Sequence, residues 1–146
     1  MRRLTLLLFA VLFPIVGYVV GYSSAQQVVE RKGVSPKPKI EEVISGYLTD
    51  LNGRYKLRVA EVTFEPGGYV GEHNHVGPHI VCVASGEFTS VLNGKTRTYK
   101  AGDCFYEPGN MTHAAFNRTS SPVVNLIFEI LPVDWKGGSA VPPKSK

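Results

Sequence analysis

Cysteine occurs only twice in the 146 residues and never in a Cys-x-x-Cys spacing, which removes the thiolate metal sites built on that pattern. Net charge is small as well. The formal charge is +4, two of those charges belong to Arg2 and Arg3, and the remaining +2 is spread along the chain without a basic stripe. A nucleic-acid partner is therefore excluded, and the charged residues read as solvated surface. Helical period is missing after the first 25 residues, and there is no internal repeat or low-complexity block. What remains, 43% hydrophobic and 19% charged residues in a chain of this length, fits one globular domain with a core.

Residues 4–29 carry no charge, their apolar heart is residues 6–20, and Ser23-Ser24-Ala25 follows with small side chains. A basic pair, an apolar stretch and a Ser-x-Ala ending are the three regions of a secretory signal. Cleavage after Ala25 and a periplasmic or secreted mature protein are expected. The alternative is an uncleaved membrane anchor facing the periplasm, because the run approaches the roughly 20 residues that span a bilayer. Pro14, Gly17 and Gly21 weaken it. Arg2-Arg3 also fits twin-arginine export of a folded chain, although Thr5 interrupts the apolar position after the pair.

Residues 26–39 are polar, hold Pro36 and Pro38 around a lysine, and read as an extended linker. From residue 40 the chain breaks into short runs of Val, Ile, Phe, Tyr and Thr punctuated by Gly, Pro and Asn, which predicts an all-β sandwich or barrel. Expected strands are 42–48, 56–64, 69–75, 79–84, 87–92, 96–100, 104–107, 112–117 and 123–131, within a domain spanning 40–132. Asn93-Gly94 suits the positive φ angles of a two-residue hairpin turn. The tail, 133–146, is expected to be mobile.

All four histidines fall in two short segments. In the first, from Gly67 to Gly86, strand alternation places His73 and His75 on one face and turns Glu72 and Asn74 to the other. Val76-Gly77-Pro78 is turn chemistry, so His79 begins a returning strand and brings a third imidazole toward the first two. The second segment, from Gly102 to Asn117, contributes His113. Imidazole suits Mn, Fe, Co, Ni, Cu and Zn, whereas four uncomplexed histidines inside an apolar barrel would each need a hydrogen-bond partner. The candidate metal ligands are therefore His73, His75, His79 and His113.

These segments resemble the two motifs of the cupin superfamily. The first follows glycine, five residues, His-x-His, three residues, a ligand position, six residues, glycine, with His79 where a glutamate usually stands. The second follows glycine, five residues, Pro-x-Gly, two residues, histidine, three residues, asparagine, with its inner glycine one place early at Gly109. The resemblance covers roughly residues 40–131. It implies a jelly-roll (double-stranded β-helix) cupin barrel preceded by the signal segment, with a metal near one mouth and open positions for water, substrate or dioxygen. Small cupins of this kind are commonly homodimers. Manganese or iron is the preferred ion, with copper, nickel or zinc admitted. With His79 in the glutamate's place the ligand set is neutral, so the dication keeps its charge and is the stronger Lewis acid.

Glu107, an odd charge in a Cys-Phe-Tyr strand, is either an acceptor behind a ligand imidazole or the catalytic base, or else an outward solvated carboxylate. Cys82 and Cys104 are read first as small buried apolar side chains; the strand pairing that the family implies sets them side by side, which makes a cross-strand disulfide the alternative. Asn110-Met111-Thr112 and Asn117-Arg118-Thr119 match glycosylation sequons but lie inside the second motif, whose spacing already explains them. The expected function is an exported, dioxygenase-like, metal-dependent oxidoreductase acting on a small organic molecule. The alternatives are a metal-dependent lyase or isomerase, and a non-catalytic binding protein for a small molecule or metal.

Overall fold

The computed structural model describes residues 28–143, so the expected signal segment lies outside the described residues. They form β1 (Arg31–Val43), β2 (Tyr55–His75), β3 (His79–Ser85), β4 (Glu87–Leu92), β5 (Lys95–Lys100), β6 (Cys104–Glu107), β7 (His113–Phe116), β8 (Val123–Pro132) and β9 (Ala140–Val141), with no helix among them. The hydrogen-bonded order is β5-β4-β7-β2-β8-β3-β6, with β1 and β9 also paired to β2. This sheet curls into a nearly closed barrel.

The runs expected as separate strands at 56–64 and 69–75 are one strand, β2, which serves two halves of the barrel. Its first half pairs with β1 on one side and β8 on the other, and its second half pairs with β7 and β9. The corner lies at Gly67-Gly68. Gly67 has φ +71°, where most side chains are strained, and a Cβ on Gly68 would stand 2.7 Å from the Gly33 carbonyl oxygen, so Gly68 accepts no side chain.

Alternation on β2 and its neighbours drives Ala60, Val62, Phe64, Val70, Val83, Phe88, Ala115 and Val123 into one core cluster. Phe64 and Phe88 meet edge to face at 5.3 Å, which closes one end of the barrel with aromatic area. Asn117 locks that end. Its Nδ2 donates to the Phe64, Glu65 and Ser121 carbonyls, and its Oδ1 accepts from the Thr119 N–H and hydroxyl. An amide 1% exposed and saturated with hydrogen bonds has a structural use.

Two expectations about the ends of the domain are corrected. Residues 31–39 of the expected linker belong to β1, in register Val34↔Phe64, Pro36↔Val62 and Pro38↔Ala60. β1 is an edge strand paired only to β2, so the N–H groups that its prolines lack are not required on its open side. The tail is also fastened: Lys56 Nζ donates to the Trp135 carbonyl at 2.8 Å, Arg58 Nη1 to that of Gly137 at 2.7 Å, and β9 pairs with Asn74 and His75.

Candidate metal centre and ligand cavity

β2 delivers His73 and His75 to the barrel interior from its last turn of alternation. The turn at residues 76–78 returns the chain so that His79 opens β3, and β7 opens with His113 directly opposite His73. β3 runs between β6 and β8, which sets His79 opposite Glu107 on one side and Glu129 on the other. Two overlapping donor groups result. His73, His75 and His113 form one, and His75, His79 and Glu107 the other, each with its ligating atoms within 4.8 Å of one another.

The ring orientations follow from local hydrogen bonds. His73 Nδ1 lies 2.7 Å from the Gly71 carbonyl oxygen, and His113 Nδ1 lies 3.1 Å from that of Met111. Each carbonyl accepts from an Nδ1 proton, which fixes the ring and turns its Nε2 toward the other donors, where a metal would be held. His75 Nε2 is 3.1 Å from His113 Nε2, and both are 3.3 Å from a Glu107 oxygen. Burial pushes His73 down to about 3, helped by His113 nearby, and pushes His75 down to about 4. Both rings are neutral at neutral pH. Burial also pushes Glu107 up, but the His113 and His75 imidazoles outweigh it and hold the carboxyl far below its usual range. His113 in turn is raised, because Glu107 overcomes the effect of its burial.

Glu107 therefore faces the cavity, and the outward reading is set aside. Sequence reasoning passed over Glu129, Arg58 and Ser139. Glu129 Oε1 is 3.0 Å from His79 Nε2, its Oε2 pairs with Arg58 Nε at 2.5 Å, and the Ser139 hydroxyl donates to Oε1. Burial would raise the Glu129 carboxyl, but His79, Arg58 and Ser139 together bring it to about 2. The signal was present: a glutamate inside the apolar run Leu126-Ile127-Phe128-Glu129-Ile130-Leu131 is costly unless partnered inside. Glu72 is exposed, as strand alternation requires, while Asn74 is buried and accepts from the Thr112 hydroxyl at 2.7 Å.

The donor set fits a divalent transition metal. His75 Nδ1 and both ring nitrogens of His79 are buried without a hydrogen-bond partner among the described residues, the 3.0 Å approach of Glu129 to His79 Nε2 being a close contact outside hydrogen-bond geometry. Imidazole nitrogens and a carboxylate oxygen converge there, a donor combination suited to such an ion. The centre opens into a cavity of about 470 Å³ whose other walls are largely apolar, among them Pro36 and Pro38 of β1 and residues 137–140 of the tail.

The cysteines depart from the preferred reading. Cys82 and Cys104 face each other across β3 and β6 on the outer face and form a disulfide, with no free cysteine among the described residues.

An antiparallel β-barrel with imidazoles and a carboxylate gathered inside one mouth has a site that could hold a metal ion. The family described as the cupin domain matches residues 60–128, and solved cupin structures share the fold. A cupin-like protein from Thermotoga maritima is 26% identical with a TM-score of 0.54, over 72% of this chain and 75% of that one. The polyketide cyclase RemF from Streptomyces resistomycificus is 18% identical with a TM-score of 0.55, over 73% and 75%. KdgF from Halomonas sp. is 23% identical with a TM-score of 0.53, over 75% and 89%. None of the curated protein sequences compared matches this chain.

Proposed function

We propose that the chain binds one divalent transition metal ion, manganese or iron foremost, through His73, His75, His79 and His113 with Glu107 beside them, and acts on a small organic molecule as a dioxygenase-like oxidoreductase. The observation that carries this reading is the pair of donor groups sharing His75 at the head of an apolar cavity. Bound there, such an ion supplies Lewis acidity and one-electron chemistry. The chain supplies the rest. Backbone carbonyls fix the His73 and His113 tautomers, and Glu129, itself held by Arg58 and Ser139, orients His79. Apolar walls exclude bulk water and strengthen every electrostatic contact inside.

Glu107 changes the expected electrostatics, since a carboxylate among the imidazoles removes the neutrality that His79 would otherwise confer. Its position also favours a second reading, proton abstraction in a metal-dependent lyase or isomerase. Turnover of Mn-, Fe- and Zn-loaded protein with and without dioxygen separates them. Activity confined to redox-active ions and dependent on dioxygen supports the oxidoreductase; equal activity with zinc in anaerobic buffer supports the lyase or isomerase. Absence of turnover with every ion leaves a binding protein. In the same assay Glu107→Gln that keeps metal but loses turnover is missing a proton acceptor, and one that loses metal is missing a ligand. The proposal includes export with Gln26 as the mature N-terminus and assembly as a homodimer, which mass spectrometry and light scattering of the exported protein test.

A further inference from the structure

We infer that Asn125 on β8 determines specificity by binding the far end of the ligand. The ligand is then an elongated small molecule with metal-chelating oxygens at one end, an apolar middle, and an uncharged group that both donates and accepts hydrogen bonds, such as a carboxamide or hydroxyl, at the other. This rests on the metal reading of the histidine end.

Asn125 is 0% exposed and lines the same cavity as the histidines. Neither its Oδ1 nor its Nδ2 has a hydrogen-bond partner among the described residues. Its strand neighbours in register are Val62 and Val83, so the amide stands in an apolar wall. Burying an amide there is costly, and packing would be better served by leucine or valine. The contrast with Asn117 is direct, since that buried amide is saturated by backbone groups and the Thr119 hydroxyl. Oδ1 and Nδ2 together present one acceptor and two donors, which match a donor–acceptor group on a ligand. A charged group is a poorer match there, because the strand neighbours of Asn125 are Val62 and Val83 and the charged lining residues Arg58 and Glu129 pair with each other at the histidine end.

The separation sets the length. Asn125 and Glu129 point to the same side of β8 four residues apart, about 13 Å along a strand. Glu129 touches His79 at the metal end, and Ile127 lines the wall between. A ligand reaching from one end to the other crosses only apolar surface on this strand.

The test uses manganese-loaded protein and three probes: acetohydroxamic acid, octanohydroxamic acid, and the analogue of the latter with a terminal carboxamide. Wild-type protein should bind the carboxamide probe about tenfold more tightly than the methyl-terminated one, and Asn125→Leu should abolish or invert that preference. Acetohydroxamic acid, which reaches only the metal end, should bind both proteins equally. Failure of acetohydroxamic acid to bind counts against the metal reading alone, because octanamide, which has no chelating end, still tests Asn125. It should shift the Asn125 side-chain amide resonances, identified by their absence from the Asn125→Leu spectrum. An unchanged preference in Asn125→Leu, or no shift with octanamide, overturns the inference. Thermal unfolding gives a second readout: Asn125→Leu, or Asn125→Val if leucine overpacks, should be at least as stable as wild type. A marked loss of stability in both, with the preference retained, would make Asn125 a structural amide and also overturn it.

Discussion

At the residue scale the two motif turns meet through glycines. A Cβ on Gly77 would stand 1.9 Å from the Ile130 carbonyl oxygen, and one on Gly109 would stand 2.9 Å from the Gly77 carbonyl oxygen. The amide of His75 donates to the Gly109 carbonyl at 3.0 Å, so this contact also positions a candidate ligand. Gly77→Ala should therefore cost about 3 kcal/mol, at the upper end of overpacking, and weaken metal binding with it. Denaturant unfolding and metal analysis check this, and an alanine variant with wild-type values would remove the contact's importance. The displaced glycine of the second motif, Gly109, thus has a reason that spacing alone did not show. Glu107 shows the same limit: alternation puts it on a face with Phe105, but which face is inside depends on where β3 and β8 lie.

At the element scale the disulfide joins β3 and β6, a narrow pairing that ends the hydrogen-bonded sheet. It closes a segment with a sequence separation of 22, for which chain entropy gives about 3 kcal/mol. Reduced protein, or the Cys82→Ser/Cys104→Ser double variant, should lose roughly that stability while keeping its metal, as measured by denaturant unfolding. Loss below 1 kcal/mol on the same scale would show that the sheet holds β6 without it. β1 shows why local pattern hides an edge strand. Val34, Pro36 and Pro38 alternate with Ser35 and Lys37 and line the cavity, yet prolines counted as breakers hide that period. On an edge strand they are apolar wall residues.

At the scale of the whole molecule, the donor residues come from β2, β3, β6 and β7, which spans both halves of the barrel. An ion bound there ties those strands together and favours only the folded chain. Free manganese at a hundredfold excess over its dissociation constant should add about 2.7 kcal/mol. For a domain of this size that is a rise of roughly 10 °C in melting temperature. Calorimetry with manganese and with a chelator checks it, and His73→Ala should show no rise. Equal melting temperatures with and without metal would place the ion elsewhere or nowhere.

The all-β class, most strand positions and the histidine clusters were legible in the sequence because they depend on local period and spacing. Two-residue alternation, turn residues and the His-x-His interval carry that information along the chain. The tertiary structure alone decided that Glu107 joins His75 and His113, that Glu129 stands behind His79, and that Cys82 meets Cys104. It also decided that the tail and β1 wall the cavity. Those relations join residues far apart in sequence, and they are set by which strands pair and how the sheet curls, a property of the whole barrel that no single segment carries.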